Sequence, residues 1–270
     1  MGYPTVQSSE VWALAARQHG VVSRVQLLEL GVSAQGIKHR VATGRLHPVQ
    51  RCVYAVGRAQ ITHDGHLIAA TMTCGPDAVI SHGAAAGLWE MTSGATREID
   101  VSVPLSSRPR RGGIRVHRRA ALAAGDVATH HGIAVTTPLQ TLLDIAPRLT
   151  REKLEAAINA ADKRDLTDPE ALRSALLARA NQPGVAKLRE VLDRRTFALT
   201  DSELERRFLP LVRAAGLPAP RTGQWVTGFK VDFHWPDLGL VVETAVCATT
   251  ARRHSRPGIV CATRRTPRPV

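Results

Sequence analysis

Apolar positions recur at helical spacing through the first sixty residues, and glycines punctuate them. Val11, Leu14 and Ala15 line one side of a helix that Ser9 is placed to cap and His19-Gly20 to end. Ser23 precedes a second short helix through Val25-Gln26-Leu27-Leu28, closed at Leu30-Gly31. Ser33 opens a third over Ala34 to Thr43. There Ala34, Ile37 and Val41 turn inward, Gln35, Lys38 and His39 face outward, and Arg40 stands at the edge. Gly44 stops that helix. From Arg45 to Gly57 the pattern becomes an alternation of apolar and polar residues about a basic turn, which predicts a short hairpin. Three short helices and a hairpin form a winged helix-turn-helix. In that arrangement Gln35, Lys38 and His39 meet base edges in the major groove, while Arg40, Arg45, His47 and Arg51 reach phosphates.

The middle of the chain mixes both periodicities. Residues 60–90 read as Ala-rich helix, with Ser81 capping Ala84 to Trp89. Residues 98–104 and 114–117 alternate like strands, and a loop rich in arginine lies between them. Arginine fills six of the twelve positions from 108 to 119, a solvated loop or a phosphate clamp. Leu139 to Ile145, 150–161 and 168–180 read as further helices. His63, His66, His82, His117, His130 and His131 have no metal-ligand spacing with acids or cysteines, and so read as surface or satisfied core histidines.

A second constellation runs from 200 to 244. Ser202 and Glu205 form a capping box for a helix whose apolar side is Leu204, Phe208, Leu211 and Val212. Strands follow at Gln224–Val226, Lys230–Pro236 and Leu238–Glu243. Helix, strand, strand with Asp232, then strand with Glu243 is the order used by PD-(D/E)XK nuclease cores, in which the two acids would hold a divalent metal such as Mg²⁺. Past Glu243 the sequence departs from such a core. Ala245 stands where a second acid or a lysine belongs, and the remaining residues are rich in Arg, Pro, Ala and Thr. This tail reads either as out-of-frame translation of a GC-rich gene or as a genuine basic tail.

Charge sharpens the picture. The chain of 270 residues carries 36 Lys+Arg against 23 Asp+Glu, a net +13, which points to a polyanionic partner. Residues 1–60 hold +5 of it and the last 26 residues +6, so a basic excess survives without the tail. No apolar run reaches the 18 or so residues of a membrane span, and Cys52, Cys74, Cys247 and Cys261 form no C-x-x-C pair. Motifs of serine hydrolases, P-loops, dinucleotide-binding folds and zincins are missing. The expectation is a cytoplasmic α+β protein without a membrane partner. Its parts are a winged helix at 1–60, a mixed α/β middle domain at 61–195, a partial PD-(D/E)XK-like α/β fragment at 196–244, and a basic, disordered tail at 245–270.

Two stretches carry a family resemblance. Leu14 to Leu27, with Gly44-Arg45-Leu46-His47 and Arg51 to Gly57, resembles the N-terminal domain of AbiEi-type antitoxins of type IV toxin–antitoxin systems. The likeness extends more loosely through Ile80–Trp89 and Thr136–Asp144. Ser202–Phe208, with Val231–Pro236 and Leu240–Glu243, resembles a very-short-patch-repair-endonuclease-like domain, in which Glu205, Asp232 and Glu243 would be the acidic set. The resemblance implies a DNA-binding transcriptional regulator that represses its own operon, partnered by duplex DNA and a cognate toxin, and needing no cofactor. The alternatives are a Mg²⁺-dependent DNA endonuclease, or an antitoxin acting by protein binding alone. The truncation after Glu243 argues against an enzyme.

Overall fold

The structure, a computed structural model, describes residues 6–93, 97–107, 109, 112–120, 122–179, 182–193, 203–246, 259–261 and 264–265. The chain divides into two compact units, Met1–Ile145 and Ala146–Val270, and its fold is mixed α and β.

The first unit begins with α1 (Val6–Arg17), β1 (Val21–Ser23), α2 (Arg24–Glu29), α3 (Ala34–Ala42), β2 (Leu46–Gln50) and β3 (Val53–Val56). Helix α1 starts upstream of Ser9, so that residue lies within the helix rather than capping it. Ser23 and Ser33 do cap, each accepting a backbone N–H from the third residue beyond it, and Gln26 completes a capping box with Ser23. The three strands form one antiparallel sheet in the order β1-β3-β2. Strand β1 has no counterpart in the sequence pattern, and it exists because Val21 and Val22 are fully buried against β3. Val11, Ala15, Val22, Leu27, Val32, Ile37, Leu46 and Val56 make one core under the helices and the sheet. Full burial of Leu27, Ile37 and Leu46 contributes about 1.5–3 kcal/mol each. This order of elements fits a winged helix.

After the small sheet, α4 (His63–Cys74) packs against its strands and against a second sheet. Gly65 is required at its start, because a Cβ there would sit 2.8 Å from the His19 carbonyl oxygen. The helical stretch expected over 60–90 is parted by β4 (Val79–Ile80) and resumes as α5 (His82–Leu88), with Ser81 at the N-cap position but making no side-chain cap hydrogen bond. β5 (Ile99–Pro104), β6 (Ile114–Arg119), β7 (Val127–His130), β8 (Ile133–Thr136) and α6 (Pro138–Ile145) complete the unit. Its second sheet runs β6-β5-β4-β8-β7, with β5/β6 and β4/β8 parallel and the other pairs antiparallel.

The second unit holds α7 (Arg151–Asp162), α8 (Pro169–Leu177) and α9 (Val185–Val191), packed through Leu154, Ile158, Leu172, Leu176 and Leu188. α10 (Glu203–Ala214) then precedes the antiparallel strands β9 (Arg221–Val226), β10 (Phe229–Trp235) and β11 (Leu240–Val242). Leu209 and Val212 of α10 pack on Phe233, Trp235 and Val242. Leu211, expected on that apolar side, is 55% exposed. Pro210 lies inside this helix, immediately after Leu209. Ser202, the expected cap, lies outside the described residues, as do 247–258, 262–263 and 266–270 of the tail. Within the tail, β12 (Thr244–Val246) pairs with β13 (Ile259–Cys261), and β14 (Arg264–Arg265) pairs with β11. Among the described residues no helix is long and apolar enough to cross a membrane.

Candidate nucleic-acid interface

Helix α3 presents two unlike faces because its apolar residues recur at helical spacing. Ile37 is buried in the core, whereas Gln35, Lys38 and His39 are exposed and Arg40 is half-buried at the margin. The helix is secured at both ends. Ser33 Oγ accepts the Gly36 N–H at 3.0 Å, and Thr43 Oγ1 donates to the His39 carbonyl at 2.9 Å. Arg45 is exposed at the root of the hairpin, His47 is half-buried on β2, and Arg51 is exposed in the turn. From Leu30 to His63 the chain has five Lys and Arg and not one carboxylate, so this segment supplies no carboxylate of its own to compete with an incoming anion.

Contacts between helix and wing, between helices, and across the hairpin root brace this segment. The Arg24 N–H donates to the Cys52 carbonyl at 2.7 Å, tying the start of α2 to the hairpin turn. Cys52 adopts the left-handed conformation there, at φ 62°. Gln18 and Gln26 exchange side-chain hydrogen bonds at 3.2 and 2.7 Å, bridging α1 and the capping box of α2. The Gly57 N–H donates to the Arg45 carbonyl at 3.0 Å and holds the hairpin root closed. The seven residues singled out from sequence are thus carried on elements braced against one another.

A second polar constellation was not anticipated. It lies between the five-stranded sheet and the helices α5 and α6. His117 Nε2 sits 2.7 Å from Asp100 Oδ1, and the His117 and His82 rings stack with centroids 3.6 Å apart. Ser102 donates to Ser81 at 2.8 Å, and Arg119 donates to Ser102 at 2.9 Å and to Asp144. Gln140 donates to the other oxygen of Asp144 at 2.8 Å. Burial alone would raise the Asp100 carboxyl, but the His117 hydrogen bond and the charges of His117, His82 and Arg115 outweigh it and hold the group below the ordinary aspartate range. Ser81, Asp100, Ser102 and Gln140 are buried, so the network acts as a polar core holding β5, β6, α5 and α6 in register. Its only trace in the sequence is a polar residue at alternate positions of otherwise apolar β5.

The three C-terminal acids are placed apart in character. Glu205 is buried on α10, Asp232 is half-buried on the central strand β10, and Glu243 is exposed just after β11. Asp232 Oδ2 accepts both the Thr244 N–H at 2.6 Å and the Thr244 hydroxyl at 2.9 Å. Among the described residues no group of three His, Cys, Asp or Glu side chains is disposed to hold a metal ion.

Comparison with known proteins adds a context. Two uncharacterized proteins of Mycobacterium tuberculosis, MT2308 and Rv2248, are each 27% identical to this chain over 220 residues, covering 78% of this chain and 78% of the relative. The crystal structure of the RV2827C protein from the same organism superposes with a TM-score of 0.46 at 20% identity, covering 71% of this chain and 78% of that one. The segment that carries α3 and the wing, residues 10–57, matches the family model of the AbiEi antitoxin transcriptional regulators.

Proposed function

We propose that the chain is a DNA-binding transcriptional regulator of the AbiEi antitoxin type, which binds duplex DNA through α3 and the β2–β3 wing and represses its own operon. The observation that carries the reading is the joint placement of Lys38, Arg40, Arg45 and Arg51 on one braced, acid-free segment that coincides with the antitoxin-regulator match. Gln35, Lys38 and His39 supply donors and acceptors for base edges, and Arg40, Arg45 and Arg51 supply phosphate contacts. A cognate toxin is the second partner that the family suggests, and the proposal extends to it. We assign no nuclease role to the C-terminal unit, since Asp232 is committed to Thr244, Glu205 is buried and Glu243 is exposed.

The test is a titration of the full chain against duplex DNA from upstream of its own gene at a series of salt concentrations. Three phosphate contacts per winged helix give a log–log slope of about −2.7, from a slope of about −0.9 per neutralised phosphate. A salt-independent interaction, or no preference for that DNA over unrelated duplex, would sink the regulator reading.

A further inference from the structure

A groove of about 580 Å³ lies behind the winged helix, between α1 and the segment that leads into α4. Its walls are Trp12, Ala16, Val56 and Ile61, with Arg58 and Gln60 at the rim. Trp12 is 56% exposed, high for so large an apolar side chain. Its benzo edge rests on Gly57, where a Cβ would meet Cζ2 at 2.8 Å and Cζ3 at 3.1 Å, so glycine at this positive-φ position is what seats the ring. Among the described residues the Trp12 indole N–H, the Arg58 guanidinium and the Gln60 amide make no hydrogen bond or ion pair. No Asp or Glu lines the groove.

We infer that this groove binds a small planar aromatic carboxylate. Three features select that class. The free part of the Trp12 ring, with the apolar floor of Ala16, Val56 and Ile61, suits a flat apolar body. Arg58, with no carboxylate competing for it in the groove, suits a single anionic group, which its planar fork binds in bidentate fashion. The volume falls within the usual range for small-ligand pockets, roughly 300–1,000 Å³. The groove also adjoins the wing, because Gly57, under Trp12, donates its N–H to the Arg45 carbonyl. On the DNA-binding reading above, a ligand that shifts Trp12 bears on Arg45 through that one bond and makes the groove an effector site.

The experiment is calorimetric titration of the full chain with 2-naphthoate, using the neutral 2-naphthamide as comparison. The expected result is saturable binding of one naphthoate per chain, with naphthamide binding about tenfold more weakly. Arg58→Met should erase the difference between the two compounds. Ala16→Trp, which fills the groove from an exposed position, should abolish binding of both; Trp12→Ala should also weaken it. No saturable binding by the wild-type chain, or unchanged binding in Ala16→Trp, overturns the proposal. So does a loss of self-association in Ala16→Trp by sedimentation, which would make a second copy of the chain the occupant. The same samples are titrated with the upstream duplex. Failure to bind DNA while naphthoate still binds removes the regulator reading alone and leaves the groove assigned.

Discussion

The Arg119 guanidinium and the Asp144 carboxylate form an ion pair that joins the edge strand of the five-stranded sheet to the last helix of the first unit. Asp144 is nearly closed off, with 4% of its side chain exposed, and Arg119 retains 21%. Removing one partner of such a pair leaves the other charge uncompensated, whereas removing both does not. Asp144→Ala should therefore destabilise the chain by about 3 kcal/mol, discounted for the partial exposure of Arg119. The Asp144→Leu, Arg119→Met double variant should recover much of that loss. Urea unfolding curves of the three proteins measure it. Equal losses in the single and double variants would show that the pair is not what holds α6.

The depressed carboxyl of Asp100 ties stability to pH. A carboxyl whose folded-state value lies below its unfolded one adds stability that is present above the unfolded value and lost as pH falls through the folded one. Asp100→Asn should cost stability at pH 7. Its gap to the wild type should then close progressively below about pH 4. Thermal unfolding of both proteins between pH 7 and pH 3 gives the comparison, and a constant gap across that range would refute the linkage.

Helix α3 depends on Ser33 for its start. Ser33→Ala should cost about 1 kcal/mol, as loss of an N-cap ordinarily does. Ser33→Asp should retain most of the stability, because its carboxylate can accept the same N–H, but it places a negative charge at the end of the proposed reading helix. The prediction is that Ser33→Asp keeps the fold and weakens DNA binding more than Ser33→Ala does. The opposite order in a DNA titration would separate α3 from the DNA surface.

Gln35 and Arg51 should fail in different ways. Arg51→Ala, at the wing turn, should weaken binding to all duplexes alike and make the salt slope shallower by about one unit. Gln35→Ala should leave that slope unchanged and reduce the preference for the upstream sequence, by about 1–3 kcal/mol at the base it reads. A change of slope in Gln35→Ala would place that residue on the backbone instead.

Incubation of the full chain with plasmid and Mg²⁺ or Mn²⁺ should give no cleavage above background. Asp232 Oδ2 is already engaged by two donors from Thr244, and position 245 is alanine. Nicking that vanishes in Asp232→Ala would reverse this expectation.

The caps and the hairpin were legible in the sequence, because Ser23, Ser33 and the alternation around Arg51 are local signals acting over three or four residues. Strand β1 was not, since three residues are too few for a period and its partner Val53–Val56 lies some thirty positions away. The polar core of Ser81, Asp100, Ser102, His117, Arg119 and Asp144 was hidden for the same reason. Its members sit on four separate segments and meet only after β4, β5 and β6 have paired. On α10 the helical spacing points Leu211 inward, whereas Leu211 is exposed and the nearby Leu209 is the residue in the core.

The order β1-β3-β2 places the last strand made in the middle of the small sheet. While the chain is being synthesised, Val21–Ser23 and Leu46–Gln50 have no neighbour to pair with until Val53–Val56 emerges from the ribosome. The start of α2 is likewise unbraced, because the Cys52 carbonyl that accepts the Arg24 N–H does not yet exist. A chain interrupted before residue 53 is thus a basic peptide lacking the sheet and the brace. The small sheet beneath the proposed DNA-reading surface is thus completed only when Val53–Val56 is available to pair with both outer strands.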